Sequence, residues 1–216
     1  YNPVLTKKQG EVSLSANGLV ALNIVGANAS ITGAITDNLA LQANISATSS
    51  HVPNLNFNAS YLLNPGSKFE VRPLLGYKSS LIDYYYYPLN SDIDVISWNG
   101  NLKIPYAGMQ VAGNQYEKSF GIALKVGSMH PHLYKGTDFT NGDDEFDRIT
   151  ELNLLIEPSF FVSHKISKRL KCNASLTMSF LAPLEEGQVS NEVDFSYLKS
   201  PMGNIGISYD IVSKSK

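Results

Sequence analysis

The chain is poor in the features that usually betray a function. It has one cysteine, Cys172, so no intrachain disulfide is possible, and the parity of its surroundings assigns that residue to the apolar face of a strand as a small hydrophobe. No apolar run approaches the roughly 18 to 20 residues that a spanning helix needs, which excludes a helical membrane protein. Charged residues are only 17% of the 216, whereas a solvated surface normally carries about a quarter or more. The formal net charge of -2 gives no electrostatic case for nucleic acid. No G-x-S-x-G elbow is present. No linker-like or low-complexity stretch divides the chain, so residues 1–216 read as a single domain with 1–9 an extended N-terminal segment. Tyr1 in place of an initiator Met reads as a mature or trimmed chain.

What is present is alternation. Residues 38–48 and 170–180 alternate apolar with polar, and the polar partners are Asn, Ser, Thr and Gln rather than Lys and Glu. Period-2 alternation means strands with two chemically distinct faces. Ten such strands can be marked, with eight as the alternative count. Leu39, Leu41, Ala43, Ile45 and Ala47 oppose Gln42, Asn44, Ser46 and Thr48; Leu55, Phe57, Ala59 and Tyr61 oppose Asn54, Asn56, Asn58 and Ser60. Phe120, Ile122, Leu124 and Val126 oppose Gly121, Ala123, Lys125 and Gly127. The stretch 20–34 changes parity near Gly26, which suggests a bulge, and 104–113 is mixed. Pro73 and Pro158 fall in mid-strand on apolar faces, where each removes a ladder donor and suggests a further bulge.

Connections alternate short and long. The short set is 36–38, 64–68, 114–118 and 164–168; the long set is 49–53, 80–103, 128–148 and 182–202, and only a tight turn at Asn17-Gly18 breaks the rule. The three longest connections hold twelve of the nineteen acids, while Lys and Arg collect at the other rim. This describes an antiparallel up-and-down β-barrel across a membrane, short turns at one end and long loops at the other. Tyr61, Tyr77, Phe57, Phe160 and Phe180 are candidates for interfacial aromatic girdles.

Orientation follows from the polar face. It carries Glu11, Glu70, Glu151, Glu157 and Asp210 against Arg72, Lys78, Lys125 and Lys171, with Asn, Ser, Thr and Gly elsewhere. Few and nearly matched charges suit a narrow interior in which ions must pair, so these nine residues form the expected barrel-interior ion network. The alternative is a soluble or periplasmic β-barrel with the apolar face inward around a lipid-like ligand.

The opening Tyr1-Asn2-Pro3 followed by Lys8-Gln9-Gly10-Glu11-Val12, the Ala34-Ile35-Thr36-Asp37-Asn38-Leu39-Ala40-Leu41 turn and strand, and the Glu157-Pro158 strand resemble small outer-membrane β-barrel proteins and lipoproteins of Bacteroidetes. The first third of the chain carries most of that resemblance. It implies a lipoprotein-like surface or structural protein in the outer membrane.

The nearest approach to a chemical cluster is His130-Pro131-His132, followed by Asp138, Asp143, Asp144, Glu145 and Asp147. Proline between the imidazoles and the lack of fixed spacing favour a solvated acidic loop over a metal site, so no metal or other cofactor is expected, with His130, His132, Asp143 and Asp144 as the only candidate ligands. An outer-membrane hydrolase is a second alternative and requires His130 or His132 to approach a nucleophile. Tyr84, Tyr85, Tyr86 and Tyr87, with Trp98 in the same connection, suit glycan stacking or protein contact. The expectation is a monomeric, non-enzymatic outer-membrane barrel with a polar, side-chain-filled interior, in contact with membrane lipid and with an extracellular glycan or protein, and not with nucleic acid.

Overall fold

The computed structural model describes residues 9–21, 24–48, 53–65, 67–86, 93–115, 117–139, 144–149, 152–184 and 201–211. Its segments are Val12–Ala21 (β1), Ile24–Ala34 (β2), Leu39–Thr48 (β3), Asn54–Tyr61 (β4), Phe69–Tyr86 (β5), Ile93–Gln115 (β6), Lys118–Phe139 (β7), Asp144–Ile149 (β8), Asn153–Lys165 (β9), Leu170–Thr177 (β10), Phe180–Pro183 (β11) and Met202–Ile211 (β12). Sequential neighbours pair antiparallel, β12 pairs with β1, and β9 pairs with β7, so the sheet closes on itself. β10 and β11 follow one register against β9 and count as a single strand, which gives a closed barrel of ten strands. β8 is an extra short strand on the upper part of β7.

The stagger of the barrel can be traced through paired residues. One way round, Thr32 leads through Gln42, Asn58, Gly76, Tyr106, Gly127 and Leu155 to Leu181; the other way it leads through Ser13 and Asp210 to Arg169. Arg169 and Leu181 lie twelve residues apart on one strand line, so the shear is twelve. With ten strands, a rise of about 3.3 Å per residue and a spacing of about 4.8 Å, the strands tilt about 40° on a cylinder of radius about 10 Å.

The apolar face is the outer one. Leu75 is 68% exposed and Ile205 75%, whereas Arg72 is 1% exposed and Gln110 1%. Phe57, Tyr61, Tyr77, Phe160 and Phe180 all face outward. Water would make such a wall aggregate, and lipid would not, so the soluble barrel with an apolar interior is excluded by the direction of its side chains.

Several expectations are corrected. Asn17-Gly18 is not a turn: β1 runs through it to Ala21, with Asn17 turned inward and donating to Asn28 Oδ1 at 3.3 Å. Residues 20 and 21 therefore belong to β1, and β2 keeps one register past Gly26 without a bulge, which removes the apparent change of parity. Pro73 and Pro158 sit in unbroken registers with their partners Met109 and Leu124. Pro158 does interrupt the ladder on its other side, where its carbonyl accepts from Met178 but it has no N–H to return, and there β10 ends and β11 begins. Pro105 has a similar effect: pairing of β6 with β7 is complete from Tyr106 down and from Lys103 up to Val95, but lapses opposite Ser128 and Met129.

The largest correction concerns length. Most of the long connections 80–103 and 128–148 is strand, in β5 to β8. Tyr84 and Tyr85 pair with Trp98 and Ser97, so the aromatic run lies on a strand, and Tyr87 lies outside the described residues. The 23 residues of β6 rise about 60 Å, against a hydrocarbon-facing band of about 25 Å. This half of the barrel projects well beyond the membrane.

Candidate functional site

Two places gather chemistry: the barrel interior and a polar cluster on the outer wall of β6 and β7. In the lower interior, toward the short turns, directly paired residues hydrogen-bond across the strands. Asn58 Nδ2 donates to Gln42 Oε1 at 3.0 Å, Gln42 Nε2 to Thr32 Oγ1 at 3.0 Å, and the hydroxyls of Ser15 and Ser30 meet at 2.7 Å. Small amides and hydroxyls are suited to this, because each satisfies a buried neighbour without carrying charge. Arg72 pairs with Glu70 at 3.6 Å, both almost fully buried. Lys171 pairs with Asp210 at 2.7 Å, and Ser13 Oγ donates to the same carboxylate at 2.7 Å, which ties β10, β12 and β1 together.

Higher up, Lys78 lies 3.8 Å from Glu157, and Ser179 Oγ donates to Glu157 at 3.1 Å. Lys125 is directly opposite Glu157 in the register and sits 4.9 Å from the centroid of the Tyr106 ring. The Tyr106 hydroxyl donates to Asn56 Oδ1 at 2.7 Å. That ring crosses the lumen wall over Gly76, where a Cβ would run into it. Glu11 is half-buried just before β1, and Glu151 lies outside the described residues.

Above these ions the interior changes character. Ile82, Leu102, Ile104, Met129 and Leu155 are buried together, with Leu181 packed against them. The interior is thus polar below and apolar near the long-strand end, a correction to the uniformly polar filling expected. It also explains why 104–113 reads as mixed: Ile104 and Tyr106 face inward on β6, while Pro105 and Ala107 face outward.

On the outer wall, His130 and His132 belong to β7 rather than to a loop. Ser128 Oγ lies 2.9 Å from His130 Nε2, and Lys103 of β6 is directly opposite His130. Asn101 is opposite His132, and its side-chain oxygen is buried without a hydrogen-bond partner. Ser128 and Lys103 were missed from sequence because both were assigned to loops; read as strand, Ser128 and His130 two apart necessarily share a face. Asp143 lies outside the described residues, and among the described residues no three metal-ligating side chains converge.

A closed antiparallel barrel with an apolar outer wall and a polar lower interior is a membrane-spanning barrel of the outer-membrane class. Among solved structures the chain is similar to the outer membrane protease OmpT of Escherichia coli, with a TM-score of 0.62 at 10% identity over 94% of each chain. It also aligns with the N-terminal β-barrel domain of Pseudomonas aeruginosa OprF (TM-score 0.42, 14% identity, 94% of this chain and 98% of that one). The translocator domain of the autotransporter NalP from Neisseria meningitidis aligns at TM-score 0.45 and 11% identity over 93% of this chain and 88% of that one. At 10% identity the likeness to OmpT is one of fold alone. No protein family and no curated protein matches the chain.

Proposed function

We propose that the chain is a non-conducting, non-enzymatic bacterial outer-membrane protein that acts through surfaces outside the barrel. The observation that carries this reading is the burial of inward side chains at two levels, Arg72, Gln110 and Tyr106 below and the Ile82, Leu102, Ile104, Met129 and Leu155 layer above. An ion would have to displace paired charges and then cross an apolar layer. The projecting arm of β5 to β8 carries Tyr84, Tyr85, Tyr86 and Trp98 on paired strands, and it supports contact with an extracellular glycan or protein. In planar bilayers the reconstituted protein should give no steps of porin size; sustained conductance of that size would refute the proposal.

A second reading has one specific observation in its favour. Ser128 and His130 have the spacing of a nucleophile and its base at 2.9 Å, the condition set for an outer-membrane hydrolase. Among the described residues His130 makes no second hydrogen bond that would orient the ring. Ester hydrolysis by the reconstituted protein that is lost in both Ser128→Ala and His130→Ala would install this reading in place of the first.

A further inference from the structure

We propose that Lys103, His130 and Ser128 seat the phosphate of a lipid headgroup in the membrane leaflet on the long-strand side. The proposal rests on the membrane-spanning reading above and adds a ligand to its wall. Between Phe120 and Val126 of β7, and on the neighbouring strands at that depth, no charged or imidazole side chain faces outward among the described residues. Outward basic groups then occur at the two borders of this band, Lys118 and His164 below, Lys103, His130 and His132 above. Lys118 and His130 are twelve residues apart on β7, which at about 3.3 Å per residue and a tilt of about 40° separates them by about 30 Å along the axis. A hydrocarbon band is about 25 Å tall, so His130 stands at headgroup depth.

The upper cluster has the composition that phosphate requires. Residues directly opposite on antiparallel strands hold their Cβ atoms about 5 Å apart, so the Lys103 ammonium and the His130 ring can converge on one group of oxygens. Ser128 fixes the His130 ring through its 2.9 Å contact, and Ser79 of β5 stands opposite Lys103 on the same face. No carboxylate shares that face among the described side chains. The occupant is a lipid because the cluster opens sideways, directly above apolar wall formed by Val126 and Tyr77, and not into the lumen. On β1 and β2 the described wall stays apolar up to Val20 and Val25.

The test uses the full chain in phosphatidylcholine vesicles, with a fluorophore on a cysteine introduced at Ser79 or, as control, at Val25, both in a Cys172→Ser background. Brominated phosphatidic acid or brominated phosphatidylcholine then reports which lipid lies beside each label. One cationic side chain near a membrane surface corresponds to a preference of about fivefold. Phosphatidic acid should quench the Ser79 label at about one-fifth the fraction that phosphatidylcholine needs, and the two should be equal at Val25. Combined Lys103→Gln and His130→Gln should abolish the difference. Equal quenching at Ser79, or a preference that survives the double substitution, would overturn the seat. Absence of quenching by either lipid at both positions would overturn the membrane-spanning reading and the seat with it.

Discussion

Gly76 and Tyr106 show how single positions fill this lumen. The ring crosses at Gly76 to reach Asn56, and any Cβ there meets both the ring and the Phe57 carbonyl oxygen. Gly76→Val should therefore destabilise the barrel by about 1 to 3 kcal/mol, measured as a lower urea midpoint for the refolded protein. Orientation is testable at two adjacent residues. Cysteine at Ile45, in a Cys172→Ser background, should react with a membrane-partitioning thiol reagent, while cysteine at Asn44, 9% exposed and turned inward, should resist it. The opposite pattern would invert the wall. These facings were legible in the sequence because Asn44, Ser46 and Gln42 alternate strictly with Leu41, Ala43 and Ile45. Ser128 beside His130 was not legible, since the contact exists only once residues 128 to 132 are strand.

At the scale of elements, the seam where β12 meets β10 and β1 depends on Lys171 and Asp210, each about one-fifth exposed. A double-mutant cycle with Lys171→Ala and Asp210→Ala should give a coupling of about 1 kcal/mol in denaturant unfolding, and additive effects would remove the pair as a clasp. Ten strands and their order were readable from periodicity, but strand length failed above the membrane. There the alternation that marks a strand breaks down: Ser79 and Ser80, then Leu81 and Ile82, put like residues on both faces, and Leu102 and Pro131 turn apolar side chains inward where polar ones were expected. The Asn17-Gly18 error has a different origin. Asn-Gly is strong turn chemistry, yet pairing with Asn28 on one side and Gly206 on the other holds it extended.

For the whole molecule, the outer wall determines how it must be handled. Leu75, Ile205, Val20 and their neighbours leave a continuous apolar belt, so size-exclusion chromatography should show a monodisperse species only in detergent; a monodisperse, folded species without detergent would contradict the spanning assignment. The lapse in pairing at Pro105 has a consequence for motion. It falls near the level of the upper membrane border, between the embedded part of the β6–β7 hairpin and the part that projects. The two parts should act as separate cooperative units in amide hydrogen exchange. Amides of residues 95–103 should exchange by local opening, orders of magnitude faster than those of 106–114, which must wait for the barrel itself to unfold.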